Sequence, residues 1–185
     1  DSAHGTFVSG IVEYADEING SDLYALEGVK LFNATVYPNP QKMDIYPEDL
    51  IDNVREAVER NSHIKLWNLS LGTSEECDID EFSEFGMALD NIQDENNVLI
   101  IKSAGNCNNF AKGLPKSRIS KTADSVRSLV VGSIAETKGT FDYAEPNTPS
   151  PFTRVGPGPA SIIKPDLVYY GGNAGLDKGK MVTTG

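Results

Sequence analysis

Short apolar runs, separated by residues with helical spacing, limit most strongly what this chain can fold into. Consecutive apolar residues occupy Val98–Ile101 and Leu129–Val131, and they make Val98–Ala104 and Leu129–Ile134 typical of strands covered on both faces in a parallel sheet. Helical spacing of apolar residues precedes them at Phe82, Phe85, Leu89 and Ile92. Alternating strands and helices predict an α/β domain of three layers, in which a mostly parallel sheet is flanked by helices.

Further elements are predicted on both sides of this region. One helix follows the apolar stripe from Phe7 to Ile18, and another begins at Pro47. Additional strands are predicted at Val29–Tyr37, His63–Leu71 and Ile162–Tyr170. With 185 residues and about 100–200 residues per domain, residues 1–185 are expected to form a single domain.

The charge of the chain argues against two classes of partner. Sixteen Lys and Arg residues stand against 27 Asp and Glu residues, which gives a formal net charge of −11. An acidic surface repels phosphate backbones, so we expect no binding to nucleic acid. No apolar run approaches the roughly 18 residues that a membrane-spanning helix needs, so we expect no membrane partner.

The two cysteines, Cys77 and Cys107, stand far apart in the sequence and belong to no Cys-x-x-Cys pair. Because no His/Cys cluster accompanies them, we expect no structural zinc site. Isolated cysteines are typical of reduced thiols in the cytoplasm, and a single disulfide is the alternative. Together with the acidic composition they favour an intracellular protein.

Three short motifs carry side chains that could do chemistry. His4-Gly5-Thr6 begins the first predicted helix, Asn68–Gly72 ends one predicted strand, and Ser103-Ala104-Gly105-Asn106 ends the most apolar strand. Ligand sites of open α/β sheets gather at the carboxyl ends of strands. Each motif alone also fits a structural role: a helix-start histidine, a turn glycine and a turn asparagine.

In this order, the three motifs resemble those of the subtilisin-like serine proteases, the subtilase family (peptidase family S8). The resemblance continues along the chain with Val130–Ser133, Ser150–Gly156, Lys164–Val168 and Thr183-Thr184-Gly185. It therefore implies a subtilisin-like α/β fold and serine endopeptidase activity. The sequence departs from the family pattern at Tyr169-Tyr170-Gly171, where alanine-proline-glycine is usual, and at Cys107, after the asparagine.

The resemblance implies a role for each motif. His4 would be the general base, and Asn106 would donate its amide to the oxyanion. Ser70, Leu71 and Gly72 would hydrogen-bond an extended peptide substrate, and Ser103, Ala104 and Gly105 would form a wall of the pocket beside the scissile bond. We expect His4 and Asn106 to lie on the same face of the sheet.

In this family the triad runs Asp, His, Ser along the chain. Its Asp is expected before residue 1 and its Ser just after Gly185, so the domain is expected to be truncated at both ends and inactive by itself. The resemblance implies no cofactor; structural calcium occurs in the family, but no acidic loop of this chain indicates a calcium site, and we expect no metal. Apolar surface and strand edges uncovered by the truncation predict self-association.

Two alternatives to an active protease remain at this point. One is a catalytically dead module, derived from a subtilase, that binds peptides without cutting them. The other is an unrelated α/β ligand-binding domain, for instance a flavodoxin-like signalling module. The prolines that follow Val29–Tyr37 argue against the second alternative, which would need carboxylates or glycines there.

Overall fold

The computed structural model describes residues 3–20, 30–37 and 46–184, and the chain divides into two compact units, Asp1–Arg60 and Asn61–Gly185. The α-helices of these ranges are α1 (Ala3–Asn19), α2 (Pro47–Arg60) and α3 (Glu84–Asn96). The strands are β1 (Leu66–Leu69), β2 (Leu99–Ser103), β3 (Leu129–Ile134), β4 (Leu167–Tyr170), β5 (Asn173–Asp177) and β6 (Lys180–Thr184). None of the helices in the described ranges is long and apolar enough to cross a membrane.

The first unit contains the two predicted helices α1 and α2. The latter begins at Pro47 with acidic residues in its first turn, where they favour the positive end of the helix dipole. Leu50, Val54 and Val58 form its buried face, as their spacing predicts. The apolar stripe of α1 is only half-buried or exposed, and the helix is kinked at Tyr14, where φ is −123°.

The prediction of a strand at Val29–Tyr37 is wrong for residues 30–37, which are the part of this range that the structure describes. Residues 30–37 form no strand in the described structure, and most of them are exposed. The carbonyl of Val36 accepts a hydrogen bond from the Asn53 side chain, 3.0 Å away, in place of a ladder partner. Branched residues favour extended backbone, but a strand also needs an adjacent edge to pair with. Val29 and the prolines at 38 and 40, as well as Gly185, lie outside the described residues.

The second unit is built on a four-stranded sheet in the order β1-β2-β3-β4, and every pairing in it is parallel. Leu69 pairs with Lys102, Ser103 with Val131, and Ile134 with Tyr170. The predicted α/β class with a mostly parallel sheet flanked by helices is confirmed. Strands β1 and β4 are shorter than predicted, since pairing covers only Leu66–Leu69 and Leu167–Tyr170.

Helix α3 packs on the sheet and is fastened at its start. The Ser83 hydroxyl caps it by accepting the Gly86 amide at 2.9 Å, while the buried Asp124 carboxylate accepts the Ser83 amide at 2.6 Å. Burial raises the pKa of Asp124. Near its other end, the Gln93 side chain accepts the Ile100 amide at 2.9 Å. These contacts join the helix to β2.

A β-hairpin of β5 and β6, which the sequence analysis missed, follows the sheet. Its two-residue turn has Lys178 at φ +48° and Gly179 at φ +79°. Left-handed values at both turn positions are those of a type I′ turn, in which glycine is favoured because it has no Cβ. The Lys-Gly pair, followed by the β-branched residues Val182, Thr183 and Thr184, was the available signal.

Lys102 is a charged residue in the centre of the sheet, and its side chain is 0% exposed. Its ammonium group donates a hydrogen bond to the Leu71 carbonyl, just past the end of β1. Burial lowers the pKa of Lys102 to about 8, since no carboxylate in the described ranges is close enough to oppose the desolvation. The lysine therefore ties the end of β1 to β2 at a cost in stability.

We expect the free energy of unfolding to rise as the pH increases from about 8 to 10.5. This pH-dependent component comes from Lys102, so Lys102→Met should remove it. The unfolded chain keeps Lys102 protonated up to about its usual pKa, whereas the folded chain releases the proton near 8, so folding becomes more favourable across this window. The full component is on the order of 3 kcal/mol.

Urea unfolding of the wild type and of Lys102→Met at several pH values measures this component. Lys112→Met, which removes an exposed lysine, is the matched control and should follow the wild type. Identical pH profiles for the wild type and Lys102→Met would contradict the prediction.

Candidate functional site

A cavity of about 200 Å³ lies where the parallel strands end. Its walls come from the carboxyl-terminal parts of β2, β3 and β4, from the residues that directly follow β2 and β4, and from Thr153 in the loop between β3 and β4. The lining residues are Ser103, Ala104, Gly105, Asn106, Val131, Gly132, Ser133, Thr153, Tyr169, Tyr170 and Gly171. Four predicted site residues, Ser103 to Asn106, are thus brought together in one wall.

The predicted peptide-binding residues Ser70, Leu71 and Gly72 follow β1, the neighbour of β2 in the sheet. They do not line the cavity. The buried Ser120 joins the two segments: its hydroxyl accepts the Thr73 amide at 3.1 Å, and its own amide donates to the Ala104 carbonyl at 2.8 Å. The segment after β1 and the cavity wall are therefore held side by side.

Gly105 makes the turn that places Asn106. Its φ of +95° is in the left-handed region, and a Cβ there would lie 2.8 Å from the Cβ of Ser120. No other residue fits both constraints. Asn106 is exposed and lines the first cavity as well as a second one of about 180 Å³, together with Phe152 and Met181. Asn106 therefore borders both cavities.

The opposite walls of the first cavity are set by hydroxyl groups. The hydroxyls of Ser133 and Ser150 are 2.6 Å apart, and Ser150 also donates to the Gly172 carbonyl at 2.6 Å. The Thr153 hydroxyl accepts the Ser133 amide at 3.1 Å. No charged side chain is among the lining residues. The cavity is consequently an uncharged pocket with a rigid, hydrogen-bonded frame.

Seven lining residues were not predicted as site residues from the sequence: Val131, Gly132, Ser133, Thr153, Tyr169, Tyr170 and Gly171. Six of them lie in β3, in β4 or directly after β4, so the rule that ligand sites lie at strand carboxyl ends could have found them. Thr153 carries no such signal, because it reaches the cavity from a loop through its bridge with Asn106.

His4 lies in the first turn of α1 and is exposed. It belongs to the first unit, whereas Asn106 belongs to the second. Its role as a base, and the shared face of His4 and Asn106, stay predictions.

Lys116 and the two cysteines lie outside the residues that line the cavity. Lys116 donates from its ammonium group to the carbonyls of Ser150 and Pro151, and burial lowers its pKa. Cys77 and Cys107 are both free thiols, so they form no disulfide with each other in this structure. Among residues 3–20, 30–37 and 46–184, no three His, Cys, Asp or Glu side chains converge in a way that could hold a metal ion, and the mechanism below uses none.

Comparison with known proteins gives relatives of two kinds. The chain is 32% identical over 152 residues to the "Uncharacterized protein y4bN" of Sinorhizobium fredii. This match covers 67% of this chain and 35% of that protein. The solved structure of the prenylagaramide maturation protease PagA is similar with a TM-score of 0.47 and 18% identity, over 80% of this chain and 46% of that one. The chain thus spans less than half the length of either relative.

A family model described as "Subtilase family" (Peptidase S8) matches residues 1–185, which is every residue of the chain. The predicted resemblance is thereby confirmed, and an unrelated flavodoxin-like domain is excluded. The chain belongs to the subtilase family of peptidases.

Proposed function

We propose that this chain is the central part of a serine endopeptidase whose triad Asp and Ser are supplied by flanking segments of a longer polypeptide. The observation that carries this proposal is the uncharged cavity at the strand ends, with Asn106 among its lining residues. Family membership supports peptidase chemistry in general. The complete polypeptide is the one that includes these flanking segments.

In the proposed reaction His4 takes the proton from the serine hydroxyl as that oxygen attacks the peptide carbonyl. The same imidazole then gives the proton to the leaving amine. A carboxylate from a flanking segment would hold the imidazole in the correct tautomer. The position of His4 at the start of α1 suits this role because it leaves the ring accessible.

The second unit supplies substrate binding and charge stabilisation. Asn106 donates its side-chain amide to the oxyanion of the tetrahedral intermediate. The backbone of Ser70, Leu71 and Gly72 pairs with an extended peptide as an added strand. The residue before the scissile bond, P1, enters the cavity against Ser103, Ala104 and Gly105.

The competing proposal is a dead subtilase that binds peptides without hydrolysis. It shares the cavity and the strand edge and differs only in lacking a working triad. The partner in either case is a peptide or protein. Self-association of the isolated chain stays a prediction, which light scattering over a dilution series would test.

The 185-residue chain alone is expected to hydrolyse no peptide and to take no fluorophosphonate label, because a base without its nucleophile leaves only binding effects. The complete polypeptide is expected to take the label at one serine, and its His4→Ala variant to lose it. His63→Ala, the other histidine, is the matched control. Labelling of the isolated chain, or none in the complete polypeptide, would contradict the proposal.

Asn106→Ala in the complete polypeptide is expected to lower kcat by about 10²–10³ with little change in KM, the typical cost of losing one oxyanion donor. Asn91→Ala, an exposed position on α3, should leave both constants unchanged. Steady-state kinetics on one peptide substrate measure the difference. An unchanged kcat for Asn106→Ala would remove the asparagine from the mechanism.

The cavity predicts a preference for uncharged P1 residues, since burying an unpaired charge there would cost several kcal/mol. Peptides that differ only at P1 should show kcat/KM at least about tenfold higher for leucine or phenylalanine than for lysine or glutamate. Tyr169→Ala should change this ranking, whereas Tyr143→Ala, outside the cavity, should not. Preferred cleavage after charged residues would count against the cavity as the P1 site.

A further inference from the structure

Arg154 is a buried guanidinium group beside the cavity, and it has no role in the function proposed above. Its side chain is 3% exposed. None of the ion pairs found among the described residues contains it, and all of its side-chain hydrogen bonds there go to backbone carbonyls. Burying a cation raises the free energy of the folded state unless its donors form well-placed hydrogen bonds. The hydrogen-bond partners of Arg154 therefore indicate its role.

Three segments meet at this guanidinium. Its Nε donates to the Asn106 carbonyl at 3.0 Å, its Nη1 to the Arg118 carbonyl at 2.9 Å, and its Nη2 to the Ser74 carbonyl at 2.5 Å. Asn106 carries the oxyanion amide, and Ser74 lies two residues past the peptide-binding segment that ends at Gly72. One side chain therefore joins the two parts of the candidate site.

The backbone and stem of Arg154 add to this connection. Its amide donates to the Gly105 carbonyl at 3.2 Å. A Cβ on Gly105 would lie 2.9 Å from the Cδ of Arg154, so the stem packs directly against the turn that places Asn106. Arg154 thus holds the turn by donating hydrogen bonds to the carbonyls of Gly105 and Asn106 and by packing against Gly105.

Only arginine meets these requirements. Its planar group presents five N–H donors in a fixed arrangement, whereas a lysine ammonium at the end of a flexible stem cannot address three separate carbonyls in the same geometry. A methionine would fill similar space without donors, and the carbonyls of Ser74, Asn106 and Arg118 would lose this partner.

We propose that Arg154 is a positioning residue for peptide hydrolysis, which holds the Asn106 amide and the peptide-binding segment after β1 in the geometry that the transition state requires. This inference rests on the proposed function. Because a displacement of about 1 Å in an active site can cost about 10² in rate, loosening this connection should act mainly on kcat.

The first test uses kinetics of the complete polypeptide. Arg154→Lys and Arg154→Met are both expected to lower kcat by about 10²-fold while KM changes by less than about threefold. Leu89→Ala, a fully buried position on α3, is the control for lost stability and should keep kcat at temperatures where it remains folded. A restored kcat in Arg154→Lys would show that charge alone suffices and would overturn the proposal.

The second test needs no activity and uses amide hydrogen exchange of the 185-residue chain. The Cys107 amide, which donates to the Phe152 carbonyl at 2.8 Å, should exchange at least about tenfold faster in Arg154→Met. The Ile100 amide, bonded to Gln93, should not change. Equal exchange at Cys107 in both proteins would overturn the proposal.

The two tests separate this inference from the function on which it rests. A wild-type complete polypeptide without hydrolysis overturns the proposed function and the catalytic part of this proposal. Exchange at Cys107 then still decides whether Arg154 holds the turn. Hydrolysis by the wild type with an unchanged kcat in Arg154→Met would overturn the proposal for Arg154 and leave the function intact.

Discussion

The parallel pairing of β1 to β4 is the constraint on which the rest of the second unit depends. Parallel strands all end at the same edge of a sheet, so loops that are distant in the sequence become neighbours. The register places Leu69 beside Lys102, Ser103 beside Val131, and Ile134 beside Tyr170. The cavity and the segment after β1, for which peptide binding is predicted, both lie at this edge because the pairing of the strands places their ends there.

The edge also has a cost, since carbonyls leave the ladder there and need donors. In a chain with a net charge of −11, three cations point inward to supply them. Lys102 donates to Leu71, Lys116 to Ser150 and Pro151, and Arg154 to three segments at once. Long side chains reach carbonyls that backbone amides cannot. Because burial removes water from their ammonium groups, the pKa values of Lys102 and Lys116 are lowered.

The elements that sequence reasoning placed correctly are those whose pattern is local. The runs at Val98–Ala104 and Leu129–Ile134 form strands of the parallel sheet as predicted, but burial alternates along them and Leu99 is 40% exposed, so the predicted cover on both faces is wrong for β2. The prediction at Val29–Tyr37 failed because strand formation depends on an adjacent edge, which no local pattern reveals. The hairpin of β5 and β6 was not predicted from the sequence, although its Lys178-Gly179 turn carries the glycine that such turns favour.

The amino-acid sequence by itself determined the fold class, the family and the residues of one cavity wall, Ser103 to Asn106, because ordered motifs and apolar periodicity are properties of neighbouring residues. Tertiary structure alone decided the bridge that brings Thr153 to the cavity and the buried contacts of Lys102 and Arg154. These depend on which strands pair and which carbonyls are left unpaired, and both follow from long-range register rather than from local composition.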